Sequence, residues 1–488
     1  MGDDLTISGG AGGITAKYDD MLTYAGVLDR AGDGLRTASG NLGGLVVSGD
    51  LAQAVVLCPI EVAEAEAAIV AAATGPAGAL WVSGELEVSA RFLKSSVDAY
   101  RFVDEQLANL EELGYTATGW ALGSTAPAVA LLGLVVWGAS KNDPRLAAAL
   151  EALADQAPAQ FQETLFDNPW MQEALTRMAP GMAQGVGFSF AGLLGSKGIL
   201  ALSNATGGRW PTTDYPEAIA GLIALAGIGG ALQDTGNFHV TKTDRDPREF
   251  DINAGNIVST IFAEQGLLGD TKSEGQVQVV KVPGDPPSFI VQIPGTQDWD
   301  PTRGDNPVDF TTNVNLMAMQ DSTVMEAKVA EAMEAAGIRP GDPVMLTGHS
   351  QGGITAAAMA SDPGLEGRFN ITSVVTGGSP IGRFDIPDDV SVLSLEHDQD
   401  IVPKLDGADN PDEPNWVTVA RELSNDEGTG SDGQRGVGAA HSTRNYQETG
   451  AQIDASTTAT MERWRDQNAQ FFSDEPSTAN RYQISPDQ

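Results

Sequence analysis

The sequence predicts an α/β domain with a mostly parallel sheet, preceded by an α-helical N-terminal domain and an apolar, glycine-rich helical region. Three observations carry that prediction. Between positions 236 and 472, short β-branched runs alternate with helix-patterned runs, as a parallel sheet requires. One of them, Val344 to Thr347, passes through Gly348-His349-Ser350-Gln351-Gly352 straight into a small-residue helix, Ile354 to Ala360. From Ile14 to Leu113, by contrast, apolar and acidic residues recur three and four apart, the period of a helix.

Taken in order, the helical domain occupies 1–113 and breaks at Thr74-Gly75-Pro76-Ala77-Gly78, which reads as two long antiparallel helices. The region 114–235 holds three uncharged apolar stretches, Tyr115 to Ser140, Ala179 to Ser196 and Ala218 to Gln233. Only the first has the length of a full membrane span, ~20 residues. Trp120 and Trp137 near its ends and the Gly119/Gly123 spacing suit a membrane-inserting helix. Pro127 and the glycines suit equally a buried hairpin or a cap over the domain that follows. That domain, 236–472, is expected to place strands at Val277 to Val282, Phe289 to Ile293, Val344 to Thr347, Ile371 to Thr376, Val390 to Leu395 and Trp416 to Ala420. Pro283-Gly284-Asp285-Pro286-Pro287 turns the first pair into a hairpin. Helices are expected at Leu316 to Ala336, Ile354 to Ala360 and Thr457 to Phe471, and the polar tail 473–488 is expected to be disordered.

Composition bounds the function. The 488 residues carry a formal net charge of -38, which repels nucleic acid and anionic lipid alike. The single cysteine, Cys58, excludes an internal disulfide and reads as buried filler. With four histidines and no second thiol there is no zinc-type cluster, and no metal or organic cofactor is implied. The segment Met1-Gly2-Asp3-Asp4-Leu5 has neither a basic region nor an apolar core, so a cytoplasmic location or a non-classical export route is expected.

Chemistry concentrates at Ser350. A strand turning directly into a helix cramps the turning residue, so glycine-sized neighbours are needed two positions either side, and Gly348 and Gly352 supply them. The helix start then aims free N–H groups at the serine. A serine hydroxyl needs a base to take its proton and an acid to orient that base. Only His397 and His441 follow Ser350, and Asp398 and Asp400 are the nearby acids after the strand ending at Leu395. An oxyanion needs two preset donors. The N–H of Gln351 is one, and the turn after Phe289 to Ile293, Pro294-Gly295-Thr296-Gln297, offers Thr296, with Gln297 as the neighbouring substitute.

Asp400-Ile401-Val402-Pro403 after a strand, the turn Gly378-Ser379-Pro380, and the late Ala440-His441-Ser442-Thr443-Arg444-Asn445-Tyr446 together resemble the catalytic half of class 3 (fungal-type) lipases and related α/β-hydrolases. The resemblance spans about Phe289 to Tyr446. It implies an α/β-hydrolase domain with Ser350 as nucleophile, Asp400 as orienting acid, His441 as general base, and Gln351 with Thr296 as the oxyanion hole. His349, His397 and His239 then take structural readings. The implied activity is hydrolysis of a lipid or other apolar ester, with an inositol-type glycolipid deacylase as the narrower variant. One departure is plain: fungal lipases carry an amphipathic lid after the oxyanion strand, whereas Asp298-Trp299-Asp300-Pro301-Thr302-Arg303-Gly304-Asp305-Asn306-Pro307 is polar and acidic. The acidic segment Asp406 to Pro414 lacks regular calcium-ligand spacing and reads as a solvated loop.

The N-terminal helical region loosely resembles the WXG-type hairpins handled by the type VII secretion system, without a clear Trp-x-Gly turn. Tyr100 and Asp104 fit the Tyr-x-x-x-Asp/Glu export signal of such proteins. That resemblance implies secretion-machinery partners and a rival function, an exported membrane-interacting effector module contacting lipid through 114–235, with the hydrolase domain secondary.

Overall fold

The computed structural model describes residues 5–9, 14–46, most of 58–94, scattered positions of 162–184 and nearly all of 196–487. The chain forms two compact units, Gly12–Glu111 on the one hand and Met1–Ala11 with Glu112–Gln488 on the other.

The first unit is helical. Helix α1 (Ile14–Val46) packs against α2 (Pro59–Thr74). Pro59 sits in the first turn of α2, where its missing N–H costs nothing, and Gly75 closes the helix. Helix resumes at 79 after the expected Gly75–Gly78 break, but α1 already ends at Val46, so the hairpin of two long helices is corrected to at least three helical stretches. Cys58 is exposed at the N-cap of α2, not buried filler. Among the described residues, one stretch, Pro59–Gly84, interrupted at 75–78, is long and apolar enough to cross a membrane. The expected span Tyr115 to Ser140 lies outside the described residues, as does the Tyr100/Asp104 signal.

The second unit is built on a ten-stranded sheet. Its elements in chain order are β1 (Leu5–Gly9), α3 (Ser196–Ala205), α4 (Tyr215–Ile228), β2 (Phe238–Lys242), β3 (Arg248–Phe250), α5 (Ile257–Gly269), β4 (Gln276–Val282), β5 (Ser288–Ile293), α6 (Phe310–Met317), α7 (Val324–Ala335), β6 (Pro343–His349), α8 (Gln351–Ser361), β7 (Asn370–Gly377), β8 (Ser391–His397), β9 (Trp416–Arg421), α9 (Thr443–Asp454), α10 (Ala459–Gln467) and β10 (Ser477–Pro486). The sheet runs β1-β9-β8-β7-β6-β5-β4-β10-β2, with β3 also on β10. Strands β5 to β9 are mutually parallel, and every other pairing is antiparallel.

The parallel strands lie side by side in chain order, so right-handed crossovers put every connection between them on one face. The two cores agree with this. On that face Phe289, Val291, Ile293, Val344, Leu346, Val374 and Val392 meet α7 and α8. On the other face the alternate residues Ile290, Met345, Val375 and Leu393 meet α5, α9 and α10. Both faces being covered explains why these strands read as continuous apolar runs in the sequence.

Six strands and the hairpin match the sequence expectation to within a few residues. Three expectations are corrected. The helix Leu316 to Ala336 is two helices, α6 and α7, because Met319 turns the chain at φ 47° and Thr323 with Glu326 forms a capping box that restarts it. The polar tail is a strand: β10 lies between β4 and β2 and buries Ala479, Tyr482 and Ile484. Leu5–Gly9 pairs with β9 in the sheet and does not belong to the helical unit. Of the apolar region 114–235, α4 packs its Ala220 and Ile223 on Val314 and Ala318 at the end of α6, while Gln172 Nε2 donates to Gln399 O and Phe166 packs on Leu423 and Ala440.

Candidate active site

All the predicted site residues lie at the C-terminal ends of the parallel strands, the edge where α/β sheets gather their chemistry. Ser350 stands between β6 and α8 at φ 56° and ψ -126°, a conformation that costs a non-glycine residue on the order of 1–3 kcal/mol. Its surroundings enforce it. Ser350 N donates to Gly377 O at 3.0 Å, and Ser379 Oγ donates to Ser350 O at 2.8 Å. The flanking glycines are required by contact: a Cβ on Gly352 would fall 2.0 Å from Ile293 O, and one on Gly348 would fall 2.0 Å from Gly352 C. The Gly-Ser-Pro turn thus holds the strained serine peptide from the next strand over.

His441 follows the single helical turn Val437–Ala440 after β9, and Asp400 follows β8. His441 Nδ1 donates to Asp400 Oδ2 at 2.7 Å, which fixes the tautomer and leaves Nε2 as the acceptor nitrogen. Gly378, at φ 63°, passes beneath this pair, and a Cβ there would lie 2.9 Å from the imidazole. Asp400 is fully buried. Burial by itself raises its pKa, but the His441 imidazole and the donors Tyr446 Oη at 2.7 Å and Val402 N at 2.9 Å hold the carboxyl below its ordinary value. It therefore stays ionised. Ser350 is 9% exposed and the His441 side chain 20% exposed. No hydrogen bond joins Ser350 Oγ to His441 in the structure; catalytic hydrogen bonds are often long or poorly aligned before a substrate binds.

The competing residues are placed elsewhere. Asp398 is exposed, its backbone accepting from Lys404 Nζ at 2.6 Å and donating to Arg421 O at 3.0 Å. His397 is buried with Nδ1 on Ala440 O at 3.0 Å and Nε2 on Thr449 Oγ1 at 2.9 Å. Its ring stacks on Tyr446 at 3.9 Å, and burial pushes its pKa down to about 4. His239 pairs with Asp487 on the surface. Asp406 is committed to Gly382 N and Ala408 N, and burial raises its pKa to about 6.

The two oxyanion candidates sit on neighbouring elements. Gln351 N opens α8. Thr296 Oγ1 accepts from Asn313 Nδ2 of α6 at 2.8 Å, which leaves its own hydrogen to be donated. Gln297 is excluded as the substitute, because its N–H donates to Val308 O while its Oε1 accepts from Gly275 N and Asn306 Nδ2. Asn313 escapes the sequence reading: it lies seventeen positions past Thr296 on a helix, with no motif to mark it. Tyr446 was visible as the tyrosine after the late histidine, but its bond to Asp400 was not.

No protein-family model, no curated protein and no solved structure matches the chain.

Proposed function

We propose that this chain is a serine hydrolase of α/β-hydrolase architecture that cleaves an acyl ester of a lipid or other apolar substrate through an acyl-enzyme on Ser350. The observation that carries the reading is the 2.7 Å bond from His441 Nδ1 to a fully buried Asp400, placed beside a serine held at φ 56°. The order of parts supports it further. The strand before Thr296 neighbours the strand before Ser350, the acid follows two strands on, and the histidine follows the last parallel strand, the arrangement α/β-hydrolases use.

The chemistry follows from the geometry. His441 Nε2 removes the Ser350 Oγ proton as Oγ bonds the ester carbonyl carbon. The oxygen of the tetrahedral intermediate accepts from Gln351 N–H and the Thr296 hydroxyl, each donor contributing on the order of 3 kcal/mol. The imidazolium passes its proton to the leaving alkoxide, and the alcohol departs. Water then attacks the acyl-enzyme with His441 again as base, releasing the acid and restoring Ser350. Asp400 remains ionised throughout and stabilises the imidazolium. An apolar acyl group suits Trp299, which stands 67% exposed three residues beyond Thr296.

A fluorophosphonate probe applied to the folded protein tests the reading. Labelling of the wild type, lost in Ser350→Ala and in His441→Ala, is expected; a folded wild type that takes no label would sink it.

A further inference from the structure

We infer that His349, the residue inside the elbow, is a positioning residue for His441: it fastens the main chain of the general base from the nucleophile's own strand. The inference rests on the reading of Ser350 and His441 given above. His349 Nε2 lies 2.8 Å from His441 O. A carbonyl oxygen only accepts, so the ring must carry its hydrogen on Nε2. The two imidazoles also lie against each other, with centroids 4.5 Å apart and planes tilted by 34°. On its other side His349 meets the oxyanion turn, where a Cβ on Gly295 would sit 3.4 Å from Nδ1. His397 repeats the contact one residue earlier, through Nδ1 on Ala440 O. Two successive carbonyls, that of Ala440 and that of the base itself, are thus held by two buried imidazoles.

The contact does what a free loop could not. His441 ends a four-residue helical turn and is not itself inside a strand or long helix. Without an anchor, its backbone would drift, and displacement of a reacting group by ~1 Å costs about 100-fold in rate. A neutral ring is required, because a second positive charge would oppose the imidazolium on His441. Burial and the neighbouring His441 supply it, pushing the pKa of His349 down to about 3.

The experiment compares two variants. His349→Gln places an amide N–H where Nε2–H stands, and His349→Leu removes the donor at similar size. With His349→Leu, kcat on a short-chain p-nitrophenyl ester and the rate of fluorophosphonate labelling are expected to fall by about tenfold or more with KM unchanged. His349→Gln is expected to recover most of both. Equal rates in both variants and wild type would overturn the inference while leaving Ser350 as nucleophile; an unlabelled wild type would instead overturn the reading beneath it. Should His349→Leu fail to fold, nitrogen NMR of the wild type decides. His349 is expected as the neutral Nε2–H tautomer across about pH 5 to 8, where a solvated histidine titrates. A Nδ1–H tautomer or a titration in that range would overturn it.

Discussion

The five parallel strands β5 to β9 and the antiparallel strands around them share one sheet, yet they take different places in it. Parallel strands all end on the same edge, so Thr296, Ser350, Gly378, Asp400 and the approach to His441 converge there. Strands β4, β10 and β2 alternate in direction and cannot deliver their ends to a common point. They widen the sheet and cover its core. Direction of pairing separates the half that carries the candidate site from the half that supports it.

That contrast can be broken by substitution on either side. On the parallel side Asp400→Asn keeps shape but removes the negative charge and lets an amide N–H stand where an acceptor fixes the His441 tautomer. Turnover is expected to fall about 10⁴-fold with little change in melting temperature, checked by ester kinetics alongside calorimetry. On the antiparallel side, ending the chain at Phe472 removes β10 and the buried Ala479, Tyr482 and Ile484. A loss of about 3–6 kcal/mol in a denaturant titration is expected from those side chains alone. A truncated protein as stable as the full chain would erase the supporting role given to that half. Thr296→Val, on the parallel side again, deletes one oxyanion donor and should lower kcat about 100-fold while KM holds; an unchanged kcat would move the second donor elsewhere.

The smallest effect is expected from Glu396, on β8 just before the acid loop. Burial, offset in part by the Asn410 amide and reinforced by Asp406, raises its pKa to about 7. Folded protein therefore binds a proton that the unfolded chain releases above its ordinary value of ~4.3. This group's contribution is full below that value and is lost as pH rises through about 7. Glu396→Gln cannot titrate. The variant should be the more stable of the two at pH 8, by an advantage that fades at about pH 5, measured by denaturation at both values.

The same division governs what the sequence discloses. Each parallel strand is buried on both faces and so appears as an unbroken apolar run, Val344 to Thr347 or Ile371 to Thr376, bounded by helix or turn. The site residues among them sit in local motifs, Gly348 to Gly352 and Asp400 to Pro403, whose spacing records a turn. Of the antiparallel strands, β4 is legible through its hairpin with β5, whereas β1, β2, β3 and β10 escape because their partners are far away. Ser477–Pro486 reads as a polar tail on its own, since its buried residues Ala479, Tyr482 and Ile484 gain a purpose only when β4 arrives from about two hundred positions upstream. Leu5–Gly9 is likewise legible only beside Trp416–Arg421. Asn313 and His349 belong with them. Their roles depend on a carbonyl or hydroxyl brought close by tertiary folding, which no local period encodes.

The central claim is that an acyl group resides on Ser350 during turnover. Rapid acid quenching of the enzyme during hydrolysis of a short-chain p-nitrophenyl ester, followed by intact and peptide mass measurement, tests it most directly. The expected result is a single acyl group per chain, located on Ser350 and absent in Ser350→Ala. Turnover that persists in Ser350→Ala, or an acyl group found on another residue, would contradict the account.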